Sequence, residues 1–201
     1  MSQFNSELRR LILDEARHLM ISQGYHSLSM RKIASKAGCS ATSIYLYFSN
    51  KDDLLHALIE EGFEKLREIL VATAASEKDP LPRIEALCRK YVQFGLENPE
   101  YYEVMFLLRP EHMERYPVEK FRRARKNLEL ITNTLNELQG HQSGKNGNSY
   151  VRAHAVTASL HGAVVLVNAG RLDVRIDKAD FVETVIQQIL SGLQQLSIAE
   201  Q

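Results

Sequence analysis

The side chains whose chemistry suggests a function are concentrated between residues 29 and 51. They are hydroxyls, phenols and cations, namely Ser29, Arg31, Ser40, Thr42, Ser43, Tyr45, Tyr47 and Lys51. Hydroxyls, cations and the free N–H groups at a helix start all bind phosphate oxygens. No nucleophile–base set, glycine-rich phosphate loop or H-E-x-x-H motif is found in the sequence, so the chain is not predicted to be an enzyme. The residue types favour binding of a polyanion instead.

Two short predicted helices carry these groups. Ser29 suits the N-cap of a helix over residues 30–37, and Gly38 is placed to end that helix. Ser40 suits the N-cap of a second helix over residues 41–47. Two short helices joined by a tight turn have the dimensions of a helix-turn-helix, in which the second helix enters the major groove of DNA.

The faces of the second helix are predicted to have different roles. Ile44 and Phe48 are four residues apart and are expected to pack inward, so Tyr45 and Tyr47 project from other faces. A phenol on a groove-facing helix can bond a phosphate oxygen while its ring packs on sugar. Packing into the domain is the alternative for both tyrosines. The small side chain of Ala41 suits contact with a thymine methyl group.

A longer residue pattern surrounds the helix-turn-helix. It runs Arg31-Lys32-Ile33-Ala34, Ala37-Gly38, Ser40, Ser43-Ile44-Tyr45, Tyr47-Phe48, Asn50-Lys51 and Leu54-Leu55. Within residues 6–66 this pattern resembles the DNA-binding domain of the TetR family of transcriptional regulators. Asn98-Pro99 and Leu160-His161-Gly162 resemble one C-terminal subgroup of that family.

The resemblance implies a ligand-responsive repressor that binds a palindromic operator in double-stranded DNA as a homodimer and is released by a small-molecule effector. The residues expected to contact DNA are Ser29, Arg31, Ser40, Ala41, Thr42, Ser43, Tyr45, Tyr47 and Lys51. For Ser40 the choice between capping and a DNA contact stays open, because one oxygen can do either. Arg31 has the alternative of a solvated surface cation. The alternative function is a helical interaction protein whose basic head binds a protein rather than DNA.

The whole chain is predicted to be all-α, with about nine helices, because no stretch alternates apolar and polar residues as a strand does. A three-helix helix-turn-helix domain is expected over residues 6–66, followed by a ligand-binding and dimerisation domain over residues 78–197. The predicted helices cover residues 6–23, 30–37, 41–47, 51–75, 81–97, 99–108, 118–138, 150–169 and 178–196. Gly140, Gly144 and Gly147 predict a flexible loop over residues 139–149.

A ligand pocket in the C-terminal domain would be lined by apolar and aromatic groups with a few polar ones. The candidate lining residues are Tyr91, Phe94, Tyr102, Met105, Phe106, Leu128, Ile131, His154 and His161. Ordinary core packing is the alternative for each. The two histidines lie seven residues apart without a third ligand at suitable spacing, which favours interface or pocket residues over a metal site. The expected effector is apolar or aromatic, and no metal or cofactor is predicted.

Apolar residues recur along the last predicted helix. They are Phe181, Val182, Val185, Ile186, Ile189, Leu190, Leu193 and Leu196. This stripe is wider than one packing partner needs, and the preceding helix is also apolar on several faces. The last two helices are therefore predicted to form a four-helix interface in a homodimer, with a single buried helix in a monomer as the alternative.

Charge and composition bound the remaining possibilities. The formal net charge is zero, but residues 1–51 carry a net charge of +4 and the remainder carries −4. A basic N-terminal part on an acidic remainder is typical of a DNA-binding domain joined to a regulatory domain. The two cysteines, Cys39 and Cys88, form no C-x-x-C pair, so neither zinc nor a disulfide is indicated. Polar residues interrupt the apolar stretch 153–169, and no signal-peptide core is found, which predicts a cytoplasmic protein with no membrane partner.

Overall fold

The computed structural model describes residues 3–24, 27–107, 121–140 and 147–199. Within these ranges the chain forms nine α-helices and no strand, which confirms the all-α prediction. The chain divides into two compact units that do not follow chain order. The first comprises residues 1–63 and 100–121, and the second comprises residues 64–99 and 122–201.

The first unit contains the helix-turn-helix. Its helices are α1 (Gln3–Gln23), α2 (Met30–Lys36), α3 (Ala41–Tyr45), the first half of α4 (Lys51–Ser76) and all but the first residue of α6 (Pro99–Tyr102). Apolar side chains from these helices and from the segments that follow α3 and α6 form one core, which includes Ile12, Ala16, Ile33, Ile44, Phe48, Leu54, Leu58 and Val104. The predicted inward packing of Ile44 and Phe48 is confirmed, since they are 0% and 2% exposed.

Helix ends in the first unit follow local sequence signals. Gly24 and Gly38 have φ angles of +77° and +67°, a conformation that glycine adopts without a Cβ clash. The Ser29 Oγ accepts a hydrogen bond from the Lys32 N–H at 3.3 Å, and the Asn50 Oδ1 accepts one from the Asp53 N–H at 2.8 Å. These caps fix where α2 and α4 begin.

The sixth helix differs from the prediction of a single helix over residues 99–108. Four residues of α6 are α-helical, and Glu103–Leu107 continue as a π-helical turn. Gly62 on α4 explains how this turn approaches so closely, because a Cβ there would collide with the side chain of Met105. The π-helical turn is wider than an α-helical one and depends on this packing. The spacing of apolar residues in the sequence therefore does not predict it.

The second unit is built from α5 (Pro80–Glu97), α7 (Phe121–Leu138), α8 (Gly147–Asn168) and α9 (Lys178–Ala199). Helix α8 packs against both α5 and α9. Helix α8 begins before the predicted end of the 139–149 loop, so residues 147–149 are helical, while Gly144 lies outside the described residues. Buried apolar side chains from three helices, including Ile84, Leu87, Leu160, Val164 and Ile186, line the shared core.

Ion pairs connect the helices of the second unit at its surface. Arg89 on α5 donates to Glu183 on α9 and to Glu85 on its own helix. Arg83 on α5 donates to Glu137 on α7 at 2.6 Å. The pair of Arg89 and Glu183 is exposed, so it is expected to add little stability.

Helix α8 has a composition unlike that of the other described helices. Residues Asn148–Asn168 are long and apolar enough to cross a membrane by length and composition alone, yet polar groups interrupt them and they pack on α5 and α9. Only 28% of the most apolar part of α8 is buried within this single chain. Most residues of this part of α8 are therefore not buried by the rest of the chain, and the apolar Val151 and Leu166 are exposed on it.

Candidate nucleic-acid interface

The outer face of α3 lies opposite the residue that anchors the helix. Successive residues of an α-helix are about 100° apart, so residues two positions either side of Ile44 lie about 160° away from it. Those residues are Thr42 and Leu46, and Leu46 is 81% exposed. Tyr45 is 54% exposed and lies about 100° from Ile44. The surface that α3 presents to solvent thus combines a hydroxyl, a phenol and an isobutyl group.

The hydroxyls at the start of α3 are engaged with each other. The Ser40 Oγ accepts a hydrogen bond from the Ser43 N–H at 2.9 Å, and the two hydroxyl oxygens are 2.7 Å apart. The capping role predicted for Ser40 is therefore present in the structure. Ser29 has the same role at α2, as described above.

The remaining predicted contact residues are placed as follows. Arg31 and Ala41 are exposed, whereas Tyr47 and Lys51 are half-buried. Tyr47 packs against the core of the first unit, so the packing alternative applies to it more than to Tyr45. Burial lowers the pKa of Lys51, and the neighbouring Asp52 carboxylate acts in the opposite direction. All nine predicted residues lie in or beside α2, α3 and the start of α4, where six are exposed and Ser43, Tyr47 and Lys51 are half-buried.

Two residues of this region were missed by sequence reasoning. Leu46 was not considered, although counting around the helix from Ile44 would have placed it on the outer face. Arg9 on α1 lies over the Phe48 ring, with its guanidinium carbon 5.3 Å from the ring centroid. Its position depends on the packing of α1 against the turn after α3, for which the sequence carries no local signal.

A polar cluster joins α1, α4 and α6 inside the first unit. Arg17 on α1 donates to the Tyr101 hydroxyl and lies over the ring, with its guanidinium carbon 4.2 Å from the centroid. It also pairs with Asp14 at 2.8 Å and with Glu100 at 3.4 Å. The Tyr101 hydroxyl donates to Glu61 on α4 at 2.9 Å. Burial and the Glu61 carboxylate raise the pKa of Tyr101, so the phenol stays protonated.

The predicted ligand-lining residues fall into three groups. Tyr91, Phe94, Leu128 and Ile131 are buried in the second unit. In the first unit Tyr102 and Met105 are buried, and the Tyr102 ring lies 4.7 Å from that of the half-buried Phe106. On α8, His154 is exposed with its ring edge against Tyr150, while partial burial lowers the pKa of His161.

The short, exposed helix α3 is capped at its start and follows α2 after a tight turn at Gly38. This arrangement is that of a helix-turn-helix protein. Residues 12–58 match the family described as bacterial regulatory proteins, tetR family, and residues 84–189 match the tetracyclin repressor-like C-terminal domain. The chain therefore belongs to the TetR family of transcriptional regulators.

Similar proteins of known sequence are regulators of the same kind. The HTH-type transcriptional regulator BetI of Rhizobium meliloti is 32% identical over 125 residues, which cover 60% of this chain and 62% of BetI. BetI and three other regulators, from Haemophilus influenzae and Bacillus subtilis, each align with this chain over only part of their length. The aligned share of these four relatives ranges from 26% to 62%.

Solved structures share the fold over nearly the whole chain. The protein SCO4313 superposes with a TM-score of 0.81 at 23% identity, covering 94% of this chain and 98% of SCO4313. AibR, solved in complex with isovaleryl coenzyme A and operator DNA, superposes with a TM-score of 0.69 at 18% identity, covering 90% of this chain and 97% of AibR. At these identities the two structures show a shared fold and no more.

Proposed function

We propose that this chain is a ligand-responsive transcriptional repressor that binds a palindromic DNA operator as a homodimer. The observation that carries the proposal is the exposure of one face of α3. Thr42, Tyr45 and Leu46 lie on this face, while Ile44 anchors the helix in the core. A short helix of this kind fits the major groove, which admits one α-helix.

Cations and helix starts around α3 are suited to hold it on the DNA backbone. Arg31 lies in the first turn of α2, and Lys51 begins α4, so each adds a positive group near free N–H groups of a helix start. Contacts of this type orient a protein on the duplex without reading its sequence. Exposed residues on α3 would do the reading.

The surfaces of α8 and α9 support the homodimer. Val151 and Leu166 on α8 are 64% and 38% exposed, and much of the predicted α9 stripe is only half-buried in one chain. A groove of about 320 Å³ runs between the two helices, with the small residues Ala155, Ser159 and Gly192 in its wall. Small residues let helices from a partner approach closely. We therefore assign the two-fold interface to this face.

The effector is proposed to be an apolar or aromatic small molecule, and acyl-containing compounds are the first class to test. Buried aromatic and aliphatic residues of the C-terminal half, such as Tyr91, Phe94 and Ile131, are the kind that line apolar ligand sites. AibR, which shares the fold, was crystallised with an acyl coenzyme A and its operator. Acyl coenzyme A thioesters of graded chain length are thus the first compounds to screen by thermal shift.

Recovery of bound DNA tests the proposal. The full chain is incubated with fragments of its source genome, and the fragments retained are sequenced. We expect a common inverted repeat, bound by the chain in preference to a shuffled duplex, and released by an effector found in the screen. A chain that retains no common sequence, or whose binding does not weaken as salt rises, would be the helical interaction protein instead.

A further inference from the structure

We infer that α3 reads its operator through thymine methyl groups and that Leu46 is the side chain that selects them. The inference deepens the proposed function, since it concerns the base recognition of the same site. The starting observation is that Leu46, a large aliphatic side chain, is 81% exposed. Binding to the DNA backbone alone would not require such a residue.

The position of Leu46 on the helix is set by its neighbours. Ile44 is fully buried and Phe48 is 2% exposed, and these two anchors leave Leu46, midway between them, on the outside of the helix. Leu46 closes the helix in a right-handed helical conformation, with φ −71° and ψ −21°. Together with Thr42, four residues earlier, it forms the part of α3 farthest from the core, because both lie about 160° from Ile44. Any duplex that receives α3 meets these two side chains first.

The hydrogen-bonding capacity of this face is smaller than its sequence indicates. Ser40 and Ser43 bond to each other, and Ser40 also accepts the Ser43 N–H. One hydroxyl hydrogen of this serine pair is not used in the bond between them. Beyond the pair, the outward groups of α3 are Ala41, Thr42, Tyr45 and Leu46, and of these Thr42 and Tyr45 have polar side-chain atoms. None of the residues of α3 is an Arg, Asn or Gln, so this helix cannot make the bidentate contacts by which those side chains read guanine or adenine.

The base-specific contact that Leu46 itself can make is apolar. Thymine is the base that places a methyl group in the major groove, and aliphatic side chains contact it there. Leu46 is hydrated in the free chain, so covering it with a methyl group removes apolar surface from water on both sides. Cytosine at the same position offers an amino group that Leu46 cannot bond. Leu46 therefore favours thymine over cytosine.

Substitution of single methyl groups in the DNA tests this directly. A duplex is first obtained by selecting a random-sequence pool on the full chain. Each thymine is then replaced in turn by deoxyuridine, which lacks only the methyl group, and affinity is measured by fluorescence anisotropy. The same duplexes are titrated with Leu46→Ala and with Val174→Ala as the matched control, because Val174 is a 99% exposed aliphatic residue of the second unit.

We expect that replacing at least one thymine weakens binding about fourfold. This is the loss of affinity expected when one buried group of the size of a methylene is removed. That penalty should vanish in Leu46→Ala and persist in Val174→Ala. Placing 5-methylcytosine paired with guanine at that position should recover part of the affinity, since the methyl group returns.

Two failures are distinguishable. Selection that yields no preferred duplex would overturn the proposed function together with this inference. The second failure leaves the proposed function standing. In that case a preferred duplex is found and Arg31→Ala weakens its binding, but the deoxyuridine penalties are equal in the unaltered chain and in Leu46→Ala. This result would overturn the inference alone. Thermal unfolding of Leu46→Ala, expected to match the unaltered chain because the residue is exposed, excludes loss of folding as the cause.

Discussion

At the scale of single residues, one serine fixes the start of α3, which carries the proposed DNA-binding surface. Ser40 caps α3 and holds Ser43, so the helix starts at a defined residue and its outer face is left to Thr42, Tyr45 and Leu46. The cap could be predicted from the sequence because an N-cap serine acts on N–H groups only two or three residues away. Local signals of this kind explain why the start of each helix in the helix-turn-helix was expected.

The two thiols should differ in reactivity. Cys88 is 1% exposed, and burial raises its pKa to about 12, whereas Cys39 is half-buried in the turn between α2 and α3. Because the thiolate is the nucleophile, we expect an aromatic disulfide reagent to modify Cys39 well before Cys88 in the native chain. Both should react at once after unfolding in guanidinium. Equal rates for both thiols in the native chain would contradict the packing described for α5.

At the scale of elements, α6 is tied to the helix-turn-helix by side chains far apart in sequence. Arg17 and Tyr101 are separated by 84 positions, and Glu61 lies on a third helix. The sequence contains no pattern that pairs them, since their meeting follows from how the helices pack. For the same reason the π-helical turn after α6, which fits Met105 against Gly62, was expected as ordinary helix.

Removing the Tyr101 hydroxyl should destabilise the first unit. In Tyr101→Phe the Arg17 guanidinium loses an acceptor and Glu61 loses a donor, and hydrogen bonds to charged groups contribute about 1.5–3 kcal/mol. We expect the free energy of unfolding in urea to fall by about 2 kcal/mol. Tyr45→Phe is the matched control, because that ring is 54% exposed and its change should stay within about 0.5 kcal/mol. Equal stability of the two variants would show that the cluster is not formed.

The pair between α5 and α9 predicts a pH effect. Hydrogen bonds from Arg89 and Gln187 lower the pKa of Glu183 from 4.5 to about 2. Since the folded pKa is the lower one, the stabilisation from this pair is present above pH 4.5 and is lost as the pH falls through about 2. Carbon-13 NMR of the Glu183 carboxyl should report the low midpoint, and Arg89→Gln should return it toward 4.5. An unchanged midpoint in Arg89→Gln would mean that the pair is absent in solution.

At the scale of the whole molecule, the uncovered apolar surface of α8 is the feature that a single chain does not explain. The sequence predicted this face from a wide apolar stripe on α9 and from apolar residues on several faces of α8, and only 28% of the most apolar part of α8 is buried in the single chain. The identity of the partner lies beyond sequence periodicity, because the same stripe suits a monomer core or a second chain. The effector likewise depends on a pocket shape that residue types do not define.

A charge placed on this face should separate the proposed dimer. Ala155 is exposed beside the groove between α8 and α9, so Ala155→Arg alters no buried contact of the single chain. We expect sedimentation velocity to show dimers for the unaltered chain and monomers for this variant, because an arginine would be desolvated at the interface. Ala75→Arg, on an exposed position of α4, is the matched control and should stay dimeric. A dimer that persists in Ala155→Arg would place the two-fold contact elsewhere.

The salt dependence of DNA binding tests the central claim most directly. Affinity for the selected duplex is measured by anisotropy over a range of salt concentrations for the unaltered chain, Arg31→Ala, Lys51→Ala and the control Lys178→Ala, an exposed cation of the second unit. We predict a steep fall of affinity with salt, a slope about one unit shallower for each of the two head variants, and no change for the control. Identical slopes for all four proteins would contradict the account, because the surface around α3 would then not be the one that meets the DNA.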